Sequence, residues 1–82
     1  MDDDRLRWKS PVRITTPEGT VEVIRGPKDA LAVLPRMWPP ADDEHFRQAK
    51  RACIAALSRP QTVEEARYTF MGACRDANIL AP

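Results

Sequence analysis

Chemistry in this chain has few residues to draw on. The sequence holds two cysteines and one histidine, Cys53, Cys74 and His45. A thiol beside an imidazole is the pattern of an activated nucleophile, the imidazole taking the proton and the thiolate attacking. If the chain folds back about Pro60 as a helical hairpin, Cys74 comes opposite Phe46 and so close to His45. Against a catalytic dyad, Cys74 lies inside an apolar stripe and His45 at the edge of another, with no third group to orient the imidazole and no oxyanion donor in sight. The same hairpin offsets the two cysteines by about two helical turns, ~10 Å at 1.5 Å per residue, beyond the ~7 Å Cα separation a disulfide tolerates. Reduced cysteines packed in the core are the expectation.

Other cofactor chemistry is equally thin. One histidine and two separated cysteines fall short of a structural zinc set. Gly19, Gly26 and Gly72 are scattered and form no phosphate-cradling loop. Asp42, Asp43 and Glu44 read as carboxylates capping a helix start and complementing its dipole rather than as a cation site. The sequence therefore assigns no catalytic, cofactor-binding or metal-binding residue. The Cys74/His45 pair stands as the one exception to a non-enzymatic reading.

Binding is the other class of function, and charge bears on it first. Thirteen basic and twelve acidic side chains give a net charge of +1, whereas a general polyanion binder carries a basic excess. Two basic clusters remain. Arg5, Arg7, Lys9 and Arg13 surround Trp8, offset by Asp2, Asp3 and Asp4. Arg47, Lys50, Arg51 and Arg59 follow one another with no acid among them, reading chiefly as a solvated helix face and alternatively as a contact for nucleic acid or a small anion.

The elements that position these residues are punctuated by eight prolines, which mark starts and ends because proline fixes φ and lacks a donor. Residues 12–15 and 20–23 alternate apolar and polar around Thr16-Pro17-Glu18-Gly19, which predicts a β-hairpin. Two registers fit. A four-residue loop sets Ile14 opposite Val21, Val12 opposite Val23 and Arg13 opposite Glu22. A three-residue loop with a glycine bulge sets Ile14 against Glu22. Because a one-residue slip exchanges a strand's faces, the apolar pattern favours the first. Gly26-Pro27 opens a short helix that Pro35 should stop, with Trp38 packing on the core from a rigid connector.

Two proline-free windows then carry helical periodicity. One helix runs from the Asp42–Glu44 start to about Ser58, with Phe46, Ala49, Cys53, Ala56 and Leu57 on one face. The other starts at Thr62 as N-cap, in a capping box with Glu65, buries Val63, Ala66, Phe70, Ala73, Cys74 and Ala77, and ends at Asn78 as a C-cap. The short connection at Pro60 makes these two an antiparallel pair. The order is ββααα: a single α+β domain over residues 1–82, with 1–7 as a flexible tail.

Two strands alone are marginal and present two open edges, so a homodimer through the hairpin edge is an economical completion. Trp8 and Ile24, placed on the outer side by the favoured register, would join such an interface, with Tyr68 and Gly72 on the outward side of the last helix.

Trp8…Pro11-Val12, Asp29-Ala30…Leu34…Trp38-Pro39, Ala49…Cys53…Ala56-Leu57 and Glu65-Ala66-Arg67…Phe70…Ala73…Ala77…Ile79 together resemble domain-of-unknown-function family 982, a family of small alphaproteobacterial proteins. The match spans residues 8–79; Trp38-Pro39 and Glu65-Ala66-Arg67…Phe70 are its most specific parts. Gly26-Pro27 departs from the serine-rich helix start of the family. The resemblance implies a stand-alone bacterial domain and carries over no activity, cofactor or site residue.

No apolar run approaches the ~20 residues needed to cross a membrane, and the acidic N-terminus is unlike a signal peptide, so a cytoplasmic protein is expected. The sequence reads as a non-enzymatic binding or regulatory module that acts through contacts with a protein partner it does not identify.

Overall fold

The computed structural model describes residues 6–37 and 44–81. Trp38, Asp42 and Asp43, expected to pack on the core and to cap a helix, lie outside the described residues, as do Asp2–Arg5 of the tail. The order is strand β1 (Val12–Thr15), strand β2 (Val21–Ile24), helix α1 (Pro27–Met37), helix α2 (Glu44–Ser58), a 3-10 turn at Pro60–Thr62 and helix α3 (Val63–Asp76). This is the ββααα, α+β architecture read from the sequence.

The hairpin takes the other register. Val12 pairs with Ile24, Arg13 with Val23, Ile14 with Glu22 and Thr15 with Val21. Local turn chemistry outweighs the apolar pattern here. The Gly19 N–H donates to the Thr16 carbonyl at 2.9 Å, and the Thr16 N–H donates to the Thr20 carbonyl at 2.8 Å. Gly19 sits at φ 88°, the left-handed bulge residue that closes a three-residue loop. The Thr16 and Thr20 hydroxyls bond each other at 2.8 Å, which satisfies the polar side chain of buried Thr16. Residues directly opposite share a face, so Val12, Ile14 and Ile24 point into the core while Val21 and Val23 turn outward, 49% and 40% exposed.

Trp8 and Ile24, expected at an outer interface, are thus core residues, 5% and 2% exposed. The Trp8 indole N–H donates to the Val63 carbonyl at 2.7 Å, its ring lies 5.7 Å from that of Phe70, and its backbone N–H donates to the Arg25 carbonyl at 2.8 Å. Burial of a tryptophan asks for a partner for its N–H, and the first turn of α3 supplies one. The chain just before it is ordered by the same docking: a Cβ on Gly26 would come within 2.5 Å of the Leu6 carbonyl oxygen. Glycine at 26 is what lets Leu6 and Arg7, read from the sequence as tail, cross over the start of α1.

Helix α1 begins at Pro27 as expected but runs through Pro35 to Met37. A proline this near a helix end forfeits one backbone hydrogen bond, and the helix continues past it. The extra turn carries Arg36, whose Nη2 lies 3.1 Å from Glu22 Oε2 on β2. On α2, Phe46, Ala49, Cys53 and Ala56 are buried as the wheel predicts, whereas Leu57 is 38% exposed; it lies at the margin of the stripe, where α2 ends. Helix α2 packs against both α1 and α3.

The capping box at Thr62 does not form. Thr62 lies in the 3-10 turn, and its hydroxyl donates to the Arg59 carbonyl at 2.8 Å instead of accepting from α3. The other end of α3 is closed as expected. Asn78 is left-handed at φ 62°, its N–H donates to the Arg75 carbonyl at 3.0 Å and the Ile79 N–H to the Cys74 carbonyl at 2.9 Å, a Schellman motif. That reversal sends Ile79–Ala81 along β1. The Thr15 N–H donates to the Ile79 carbonyl at 2.7 Å and the Ala81 N–H to the Arg13 carbonyl at 2.9 Å, with Leu80 bridging to Ile14. The sheet's inner face and the helices enclose a core centred on Ile14, Leu34, Phe46 and Phe70, where burying a side chain such as Phe70 contributes about 1.5–3 kcal/mol.

Candidate functional site

The two cysteines are free and buried. Burial pushes both thiols up to about 12, and for Cys74 the neighbouring Cys53 adds to the effect. A nucleophilic cysteine needs the opposite environment, electropositive and open to solvent. His45 is exposed on the first turn of α2, its Nδ1 3.6 Å from Asp76 Oδ2 at the end of α3. The helical pairing read from the sequence thus brings His45 to the end of α3, against an exposed carboxylate. Among the described residues, no three His, Cys, Asp or Glu side chains gather as metal ligands.

The basic residues of α2 are partly neutralised within their own helix. Arg47 Nη2 lies 2.7 Å from Glu44 Oε1 and Arg51 Nη2 3.7 Å from Glu44 Oε2. The hydrogen bond from Arg47, then its charge, holds the Glu44 carboxyl below its usual range. The Lys50 ammonium sits 5.9 Å from the centroid of the Phe46 ring. Arg59 follows the end of α2, where its backbone carbonyl receives Thr62. Arg47, Lys50 and Arg51 therefore lie together at the helix start, with exposed Ile54 and Leu57 between them and Arg59.

Of the four residues expected at a protein interface, Tyr68 is the most open, 64% exposed, with the Arg67 guanidinium 5.7 Å from its ring. Arg67 is held from its other side, its Nε donating to the Ser10 carbonyl at 2.7 Å. Gly72 is half-buried, and a Cβ there would meet nothing closer than the Arg75 Nη2 at 3.9 Å, so packing within the chain does not demand glycine.

The feature that sequence reasoning missed is the asymmetry of the sheet's edges. The Thr16–Thr20 bond fixes the alternation of the ladder: Ile14 with Glu22 and Val12 with Ile24 are the hydrogen-bonded pairs, and the residues between turn their backbone groups away from the partner strand. On β1 those are Arg13 and Thr15, taken up by Ile79–Ala81. On β2 they are Val21, Val23 and then Arg25. Arg25 is satisfied, its N–H donating to Asp29 Oδ2 at 3.1 Å and its carbonyl accepting from Trp8. For Val21 and Val23 no described group plays that part. A two-residue window of outward N–H and C=O groups thus remains on β2, flanked by its two exposed valines. An open groove of about 280 Å³ beside it is lined by Glu22, Val23, Asp29, Ala32 and Arg36 among others. The three-residue loop, weighed against the four-residue one, was the sequence signal that leads to it.

Among the described residues no helix is long and apolar enough to cross a membrane. No curated protein matches the chain. The fold is similar to that of Atu1219, a protein of Agrobacterium tumefaciens solved by NMR, at 30% sequence identity and a TM-score of 0.76, over 100% of this chain and 87% of that one. The Protein of unknown function (DUF982) family model matches residues 10–81, from just after the buried Trp8 through Ile79–Ala81, and the chain belongs to that family.

Proposed function

We propose that the protein is a small non-enzymatic binding module that takes an extended protein segment on the free edge of β2. One observation carries the reading: Val21 and Val23 present both backbone groups and partly exposed apolar side chains, while the chain fills the other edge itself. Strand addition uses these features, main-chain hydrogen bonds for affinity and alternate side chains for selectivity. The test places a photoreactive side chain at Val23 of the full protein in its native cells. A protein adduct at 23 that Val21→Pro removes is expected, since proline deletes an outward N–H and leaves the β1 ladder intact. Absence of an adduct, or one indifferent to Val21→Pro, counts against the reading.

An alternative places a small anion or nucleic acid on Arg47, Lys50, Arg51 and Arg59. The exposure of Arg51, 72% at its side chain, supports it, and the engagement of Glu44 weighs against it. If Arg47→Glu/Arg51→Glu and the unmodified protein show the same amide shifts with added nucleotides, DNA or RNA, that alternative fails.

A further inference from the structure

We infer that the segment filling the β2 edge is β2 of a second copy of this chain, paired antiparallel about a two-fold axis through Glu22. The inference rests on the strand-addition reading and names its partner. The open window supports it first. Its two outward-facing residues, Val21 and Val23, stand symmetrically about Glu22, so the two-fold sets Val21 against the partner's Val23 and Val23 against the partner's Val21. In an antiparallel pair each such match exchanges two hydrogen bonds. The match uses every outward N–H and C=O of the window on both copies and leaves none over. Beyond Val23 the backbone of Arg25 is already bonded to Trp8 and Asp29, so the ladder stops where the window stops.

The side chains agree with that axis. Val21 and Val23 lie on one face of β2, and the pairing joins them to the partner's Val21 and Val23 in one apolar cluster. At the far ends the exposed Arg25 of each copy comes beside the Pro17–Gly19 turn of the other, which carries the exposed Glu18: opposite charges meet twice. On the axis Glu22 faces the partner's Glu22, and like charges directly opposite repel. Each carboxylate already has an Arg36 guanidinium at 3.1 Å, so two cations offset two anions there. The resulting sheet runs continuously from one copy's Ile79–Ala81 through β1, β2 and the partner's β2 and β1 to its Ile79–Ala81, with no window left open in the middle. A contact this short is smaller than interfaces of permanent dimers, so association is concentration-dependent.

The register gives a charge-swap test on the full chain, read by sedimentation equilibrium from micromolar to millimolar protein. Val21→Lys/Val23→Glu sets lysine against glutamate at both matches and keeps dimerisation close to that of the unmodified protein. Val21→Lys/Val23→Lys sets lysine against lysine at both and weakens it by roughly ten-fold. Both positions are solvent-exposed, and an amide correlation spectrum of each variant reports its fold. A mixed isotope-labelled sample of the unmodified protein, which needs no variant, shows contacts between the Val21 methyls of one copy and the Val23 methyls of the other. A monomer at millimolar concentration, a dimer untouched by the double lysine, or one that both variants abolish alike overturns the inference. If self-association fails while the adduct at Val23 forms with a different protein, the strand-addition reading stands and only its partner changes; if both are absent, both fall.

Discussion

Strands β1 and β2 are of equal length, four residues each, and each turns alternate backbone groups away from the other, yet the chain treats their edges differently. At β1 the Schellman turn after α3 returns the chain, and Ile79–Ala81 supplies the missing strand. At β2 the described residues close the far end alone, Trp8 and Asp29 on Arg25, and none of them meets the outward groups of Val21 and Val23. An exposed edge is a template for another chain, and natural sheets blunt it with charges, prolines, bulges or covering segments. Here the chain lays Ile79–Ala81 along one edge and carries exposed valines, residues enriched in strands, on the other. The difference separates an edge that the fold closes itself from one whose backbone groups no described residue meets.

Three substitutions or truncations break that arrangement, with declining effect. Trp8→Ala removes a buried ring and the indole N–H that bonds the Val63 carbonyl, while the backbone N–H that meets the Arg25 carbonyl stays. Loss of a buried tryptophan costs about 3–5 kcal/mol, and the lost indole hydrogen bond adds roughly 1 kcal/mol. Against a total of roughly 4–12 kcal/mol for a chain of this size, chemical denaturation should find the variant close to unfolded. A stable, cooperative Trp8→Ala variant contradicts the role given to the tryptophan.

Truncation after Asn78 opens the β1 edge while leaving α3 and its cap residue. It removes two sheet hydrogen bonds and the partly buried Ile79 and Leu80, a loss of roughly 2–4 kcal/mol. The truncated protein should also associate more readily than the full chain, since it then has two open edges. If its midpoint in urea is unchanged, the C-terminal segment is an ornament on a hairpin that stands without it. Gly26→Ala tests the other closure. The added Cβ collides with the Leu6 backbone, and relieving it lifts the segment before Trp8; overpacking of this kind costs about 1–3 kcal/mol, to be read in the same titration.

Much of this was legible in the sequence, for identifiable reasons. Each helix start was placed at or within two residues of its observed position, because Pro27, the acidic run before Phe46 and Thr62 are strong local signals, and Asn78 closed α3 as expected. The core faces of α2 and α3 followed from period alone, except at the ends, where Leu57 is exposed and Ala77, just past α3, is only partly buried. The hairpin register was not legible from pattern, because apolar alternation in β2 is real but faces outward: Val21 and Val23 alternate as a core strand would. The turn decided between the faces, through Gly19 and the paired threonines, and once it did, Ile24 replaced the valines inside. The third strand was illegible for a different reason. Ile79–Ala81 is too short to show a period and pairs with residues more than sixty positions earlier. The edge of β2 inherits both failures, since seeing it requires the register and the knowledge that β1 is covered.

The smallest expected effect is a gain. Gly72 lies inside α3, where glycine costs up to about 1 kcal/mol relative to alanine, and the space around its Cα accepts a methyl group without displacing anything nearer than the tip of Arg75. Gly72→Ala should therefore raise stability by roughly 0.5–1 kcal/mol through the entropy of the unfolded chain. Helix α3 delivers Ile79–Ala81 to β1, so the Thr15 and Ala81 amides, bonded across that edge, should exchange more slowly with solvent in the variant if they open only on global unfolding. The Val21 and Val23 amides of the monomer have no such bond and should exchange at the same fast rate in both proteins. Protection that rises equally at all four amides would mean that the β2 edge is covered by the chain itself. Protection confined to Thr15 and Ala81 marks one edge as closed by the chain and the other as open.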